Sequence, residues 1–568
     1  MVTRNLRVLA VMAGLVAVHL GPVSATAQSR QTDAGPYLAA RAAAAAQDYE
    51  AAVDWFQTAL GADPRNPDLL EGAIAGLLAT GEINEALPLA ERLREIETRS
   101  QIADMVLQID AARRGDWDMI FALLEEGRGV GPLIDGLTRA WARLGEGRMD
   151  LALSAFDEVI ETPGLRGFGL YHKALALAVA GDFAAADDIF GAAPSNGLPV
   201  TRPVVTAHAQ ILQQLDRHED ALALLDQAGR GDPILEALRA RIATTPQPEW
   251  SFVTNAVEGL ADLYITVAGA LGDELPGSFA LLYARAALAL DPDRVEGLLT
   301  TANLLEQTGR LDLAQAAYAR VPKDDPAYVS AELGRAEVLR RSGEPARALE
   351  VLEQLTRTAP DLPGVRIAIG DLHRAQGEDA AAETAYGEAI RLTGENAAWW
   401  LYYMRGIARH AQNDWPGAEA DFRDALVVDP DRAEVLNFLG YSLVERSEAL
   451  DEALDMIERA VRAQPANGAI VDSLGWAQFK LGRYEEAVGH LERAAELEPV
   501  DPIVNDHLGD GYWAVGRFIE ARFQWQRALS FDPAPDEAER IRAKLEKGLD
   551  AVITDEGGTP LRQVAQGD

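Results

Sequence analysis

Prolines recur along this chain at a nearly constant step. Pro292, Pro326 and Pro360 lie 34 residues apart, Gly394 stands at the next step, and Pro430, Pro465, Pro499 and Pro533 follow at intervals of 36, 35, 34 and 34. A period in this range means one supersecondary unit copied many times. Fourteen copies fit, with starts near residues 33, 67, 101, 133, 167, 202, 261, 295, 329, 363, 399, 433, 468 and 502. Position 8 of the unit is small: Ala302, Ala336, Gly370, Gly406, Gly440, Gly475 and Gly509. Position 15 is usually glycine, at Gly309, Gly343, Gly377, Gly482 and Gly516. Position 20 is alanine in Ala314, Ala348, Ala382, Ala418, Ala487 and Ala521, and in Ala453 after a one-residue insertion. Position 24 is bulky: Tyr318, Leu352, Tyr386, Phe422, Leu491 and Trp525.

Each unit reads as two helices of about a dozen residues joined by a tight turn. Small residues at 8 and 20 let the two helices approach closely. Glycine at 15 takes the left-handed conformation that ends the first helix. Proline near position 32 cannot continue the second helix and prepares the next start. Bulky residues at 4, 11, 24 and 27 are expected to fill the space between units. No unit buries its apolar stripe alone, so stacking is obligatory.

The 34-residue pattern resembles the tetratricopeptide repeat family over roughly residues 33–533. That resemblance implies an all-α fold, a right-handed superhelical solenoid of helix pairs in two arrays. It also implies a concave groove lined by the first helix of each unit, chiefly at positions 2, 5, 9, 12 and 13. The arrays are expected at 33–233 and 261–533, with an irregular join at 234–260 where Thr244-Thr245-Pro246-Gln247-Pro248 should break helices. Residues 535–550 read as a capping helix, with Leu545 and Leu549 covering the last repeat, and 551–568 as a disordered tail.

Residues 1–27 carry the marks of a secretory signal: Arg4 and Arg7, a mostly apolar run from Leu6 to Leu20, and Ala25-Thr26-Ala27 before Gln28. Cleavage there is expected to leave the mature chain in a bacterial periplasm, peripheral to the outer membrane in one reading, or outside the cell; the alternative is an uncleaved membrane anchor. No other stretch reaches the length of a membrane span. The balance of 52 Lys+Arg against 89 Asp+Glu gives a net charge of −37, which repels phosphate backbones and makes nucleic acid a poor partner. The absence of cysteine excludes disulfides, thiolate metal sites and cysteine nucleophiles.

Motifs that carry chemistry are missing. The eight histidines show no metal-ligand spacing, and no phosphate-binding glycine loop or Gly-x-Ser-x-Gly elbow occurs. Repeats fill the chain, so the expectation is a non-enzyme without catalytic, cofactor or metal residues. The groove positions implied by the resemblance are more informative. Near the C-terminus they hold Trp400, Tyr403 and His410, then Asn437 and Tyr441, then Asp472, Trp476 and Phe479, then Asp506, Asp510 and Trp513. Rings beside carboxylates suit a protein or peptide ligand with a basic segment. Trp476 and Trp513 read equally as rings packed under neighbouring helices, and Trp525 reads as core. Some members of the family grip a C-terminal carboxylate with Lys, Asn and Arg; here Asn437 alone matches, which argues against that use.

A narrower resemblance lies in VLNFLGYSLVERSEALDEAL, AIVDSLGWAQFKLGRYEEAV and DHLGDGYWAVGRFIEARFQW within 435–529, and in 259–292. These stretches resemble exported bacterial tetratricopeptide adaptors of a carboxyl-terminal processing protease. The resemblance implies that protease and cell-wall hydrolases as partners. The chain departs from those lipoproteins in having no cysteine to lipidate. The alternative is a structural component of an envelope polysaccharide-export or assembly complex.

Overall fold

In a computed structural model, residues 34–192, 197–228, 232–244, 249–272 and 277–561 are described. The signal-like segment 1–27 lies outside them, as do residues 245–248 of the expected join and 562–568 of the expected tail. The described residues form 31 α-helices and one 3-10 turn, with no strand. The fold is all-α, as the periodicity requires.

The register read from sequence is visible in the backbone. Left-handed residues fall at position 15 of every described unit: Gln47, Gly81, Gly115, Gly147, Gly181, Asp216, Gly309, Gly343, Gly377, Asn413, Ser447, Gly482 and Gly516. The fourteenth, residue 275, is outside the described residues. Each ends a first helix, and the following N–H reaches back five residues, as in Arg310 to Leu305 (2.8 Å), Arg483 to Gln478 (2.9 Å) and Arg517 to Tyr512 (2.8 Å). That bond satisfies a carbonyl the helix leaves orphaned.

Position 24 packs differently from the expectation that it fills space between units. It lies over position 8 of its own unit. A Cβ added at Gly370, Gly406, Gly440, Gly475 or Gly509 would stand 2.7, 2.6, 2.7, 2.7 or 2.4 Å from Tyr386, Phe422, Ile457, Leu491 or Trp525. Glycine at 8 is therefore the seat of the bulky residue at 24, and the two are matched by volume.

The chain divides into two units, one ending at Arg357 and the other beginning at Thr358. In the first, helix pairs run from Ala34–Ala45 with Tyr49–Ala62 to Arg202–Gln214 with His218–Ala228, followed by Pro233–Thr244. The expected join at 234–260 thus begins as helix, because Leu235, Leu238 and Ile242 form an apolar face that is buried. The next pair, Ala256–Gly272 and Gly277–Leu290, was expected to open the second array. Instead it packs back onto first helices of the earlier repeats: Ala256–Gly272 on Pro132–Gly145 and Arg166–Val179, Gly277–Leu290 on Pro67–Thr80 and Gln101–Arg113. The cause is composition. Leu260, Ala261, Leu263, Tyr264, Ile265, Val267 and Ala268 are all buried, and Asp262 among them is buried with Arg294 as its partner, so this helix must be covered on nearly every side. Helix pairs Val295–Gln307 with Leu311–Tyr318 and Tyr328–Arg341 with Pro345–Thr358 follow, and the division falls after them rather than at the join.

The second unit stacks five pairs, from Pro363–Ala375 with Asp379–Thr393 to Pro502–Ala514 with Phe518–Leu529. The expected cap is two helices, Pro535–Lys547 and Leu549–Asp555, so residues 551–555 are helical rather than tail. Gly548 breaks the pair at φ +85, where any Cβ would meet the Trp513 ring at 2.6 Å. Leu549 and Val552 are buried and hold the second helix down.

Candidate functional site

The groove-register residues of the second unit divide into an accessible group and an interlocked one. Trp400, Tyr403, Asn437 and Tyr441 are half-buried, and His410 is exposed. The Tyr403 ring sits 5.8 Å from Phe422 and 6.0 Å from Phe438. Glu434 and Glu445 stand exposed on the same helix as Asn437 and Tyr441. The Asn437 side-chain oxygen is buried and accepts no hydrogen bond. Burial raises the Tyr441 phenol well above its ordinary value, helped by the charges of Glu445, Asp472 and, from the C-terminal helix, Glu537.

The remaining predicted residues are tied to one another and to cations of the chain itself. Trp476 is 6% exposed and stacks on His507 with ring centroids 3.9 Å apart, and on Phe479 at 4.9 Å. Its indole N–H donates to Glu445. His507 Nδ1 donates to Asp472 at 2.8 Å. Burial works to lower the His507 pKa, but the carboxylates of Asp472, Asp506 and Asp510 together outweigh it and the pKa is raised. Lys544, fully buried, contacts Asp506 and both oxygens of Asp510 at 2.7 Å. Asp510 also accepts from the Trp525 indole at 2.9 Å. Trp513 donates to Asp550 at 2.9 Å and packs on Phe518 and Trp525.

So the structure brings Asp472, Trp476, Phe479, Asp506, Asp510 and Trp513 together, as the register implies, but as a closed polar network. Sequence reasoning missed the two cations that close it. Lys544 had a signal: Ala538, Ile541 and Lys544 continue one helical face at steps of three, so a lysine sits where the stripe calls for burial. His507 had none beyond its neighbour Asp506.

In the first unit a cavity of about 280 Å3 is lined by Arg202, Asp232, Asn303, Tyr318 and Ser330, among others. Arg202 already meets Asp232 at 3.4 Å and Glu296 at 3.3 Å, so its charge is matched within the chain. Nearby, Arg294 pairs with buried Asp262. His172 is fully buried and its Nδ1 accepts the Trp141 indole N–H at 3.4 Å. Burial drives its pKa down to about 4, against a smaller opposing pull from Asp262.

The tetratricopeptide repeat model matches residues 37–67, 299–363, 403–468 and 473–538. The TPR repeat-containing protein PA4667 of Pseudomonas aeruginosa is 28% identical over 169 residues, 29% of this chain and 28% of that protein. Cellulose synthase 2 operon protein C of Komagataeibacter xylinus is 28% identical over 437 residues, 74% of this chain and 30% of that protein. The chain thus spans less than a third of the length of either curated relative. Among solved structures, the APC/C hetero-tetramer Cut9-Hcn1 aligns over 92% of this chain and 97% of that one at 15% identity and a TM-score of 0.35. MamA MSR-1 C2 aligns over 29% and 92% at 22% identity and a TM-score of 0.25. No described helix is long and apolar enough to cross a membrane.

Proposed function

We propose that this chain is a non-catalytic scaffold of the bacterial cell envelope, exported by a signal peptide in residues 1–27, that holds protein partners on the first-helix face of its second unit. The observation that carries the reading is the accessible run of Trp400, Tyr403, Asn437 and Tyr441 beside Glu434 and Glu445. Amphipathic rings give contact area at small entropy cost, and flanking carboxylates select a basic segment. The test is a photo-crosslinking residue at Trp400 or Tyr441 in cells. It should capture a discrete envelope protein, and the capture should fall when Asn437 and Tyr403 are changed to Ala. Capture unaffected by those changes, or none at all, removes the reading.

The partner's identity divides two finer readings. The stretches within 435–529 support delivery of cell-wall hydrolases to a processing protease. Purified chain should then raise that protease's turnover of a hydrolase, and unchanged turnover counts against it. The similarity to a cellulose synthase operon protein over 74% of the chain supports the other reading, a component of an envelope polymer-export complex. Co-fractionation with a polymer synthase, independent of any protease, would favour it.

A further inference from the structure

The segment after the last repeat is held differently from the repeats themselves. Eleven residues of helix Gly468–Lys480 are buried, but only Ala538, Ile541 and Lys544 of helix Pro535–Lys547. Beside the buried Ile541, Leu549 and Val552, its attachment is polar. Lys544 spans Asp506 and Asp510, Arg540 meets Asp510 at 3.8 Å, and Asp550 accepts from Trp513. Arg522 donates to the Leu545 carbonyl. Segments with few buried apolar contacts open before the body they rest on.

What this segment covers is specific. Asp506, Asp510 and Trp513 stand at positions 5, 9 and 12 of the last repeat, the register of the partner face. Lys544 therefore puts a primary ammonium against two carboxylates and, 5.9 Å from its nitrogen, the Trp525 ring. An indole over an ammonium and carboxylates around it are a receptor for lysine. The receptor is not saturated: one oxygen of Asp472 and one of Asp506 are buried and accept no hydrogen bond.

We propose that Pro535–Leu561 is a self-ligand, a latch that occupies the lysine-accepting face of the last repeat and exchanges for a lysine-bearing helix of the protein partner. The proposal rests on the reading of the first-helix face as the partner surface. While the latch is seated, only the fraction of molecules with it open is competent, and apparent affinity is reduced by that fraction.

The test uses the full chain and, as probe, a synthetic peptide of residues 535–561 added in trans. Lys544→Ala in the chain should weaken its own latch and tighten binding of the wild-type peptide by roughly tenfold or more. A peptide carrying Lys544→Ala should not bind, and adding Asp510→Asn to the Lys544→Ala chain should abolish the gain. Arg540→Gln, which leaves the lysine in place, should tighten binding in the same direction and guards against misfolding of the first variant. Hydrogen exchange of either variant should show protection lost across 535–555 and kept in 468–529. Equal peptide binding to all chains, or protection lost throughout 468–529, overturns the latch. Peptide exchange without any captured protein at Tyr441 leaves the latch standing and removes the partner reading; the converse pair of results does the reverse.

Discussion

Arg285 Nε donates a hydrogen bond to the carbonyl oxygen of Ala79 at 2.9 Å, across 206 residues of sequence. The same guanidinium lies beside Gly81, the left-handed residue that ends helix Pro67–Thr80. Burial holds Arg285 down at about 10, with Arg320 adding to the effect. In a plain stack each repeat touches only its neighbours, and stability is a sum of local terms. Here helices 256–290 return to the first helices of repeats far earlier in the chain. Loss of one contact should therefore be felt at both ends of a long loop.

Gly259 tests that closure. A Cβ there would stand 2.5 Å from the Trp141 ring, which is fully buried. Gly259→Leu should cost about 1–3 kcal/mol or more by overpacking. Hydrogen exchange should quicken together in Pro67–Thr80, Pro132–Gly145 and Ala256–Leu290. Quickening confined to the mutated helix would mean that the first unit is an ordinary open stack.

The second unit makes a simpler claim about register. Gly475→Leu drives a side chain into Leu491, which a Cβ alone would approach to 2.7 Å, and should cost about 1–3 kcal/mol or more. Ser447 holds the position-15 conformation at φ +55 without being glycine. Ser447→Gly should therefore raise stability by about 0.5–1 kcal/mol, the left-handed penalty less the entropy glycine loses. Thermal melts of the two variants should move in opposite directions; any other pattern contradicts the alignment of units.

The periodicity was legible because it is local. Turn residues at 15 and the pairing of 8 with 24 are set by backbone strain and volume within one hairpin, and single residues such as Gly482 and Trp525 report them. The return of helices 256–290 was not legible from spacing, since that pair keeps the repeat's small positions at Ala268 and Ala280, although Ala284 stands at the bulky position 24. Its one signal was the density of apolar residues from Leu260 to Ala268, interrupted by Asp262 and Thr266. The groove was half legible. The resemblance places Asp472, Trp476, Asp506 and Asp510 on one face, and they do meet, but which charges answer them depends on His507 and on Lys544, 34 residues beyond Asp510.

That outcome changes how Trp476 can be used as a probe. It is stacked between His507 and Phe479, so Trp476→Ala should cost about 3–5 kcal/mol. Any partner lost with that variant would report unfolding. Trp400→Ala and Tyr403→Phe should leave the melting temperature of the second unit within a few degrees while weakening partner capture. A larger fall in melting temperature for Trp400→Ala than for Trp476→Ala would show that the rings have been assigned to the wrong roles.

The two buried histidines contribute to stability with opposite dependences on pH. His172 holds its proton less tightly folded, at about 4, than unfolded, near the ordinary 6.5. The unfolded chain binds more protons in between, so the contribution of His172 is lost as pH falls from about 6.5 to 4, by up to about 3 kcal/mol, against the opposite pull of buried Asp104, raised to about 6, and of Asp135. His507 has the reverse shift. Its raised pKa means that the folded chain binds the extra proton, so its contribution is complete below about 6.5 and is lost as pH rises through the folded value. Asp506 acts in the same sense: burial, only partly offset by Lys544, raises its pKa, so its folded carboxyl also keeps a proton longer. Opening free energies from hydrogen exchange, corrected for intrinsic rates, should fall further toward acid in Pro132–Gly145 and Arg166–Val179 with His172 in place than in His172→Gln. They should fall toward base in Gly468–Lys480 and Pro502–Ala514. His172→Gln, which keeps an acceptor for the Trp141 indole, should flatten the first dependence only, and His507→Gln the second only. Slopes unchanged by both substitutions would mean that neither histidine is set by the neighbours the structure gives it.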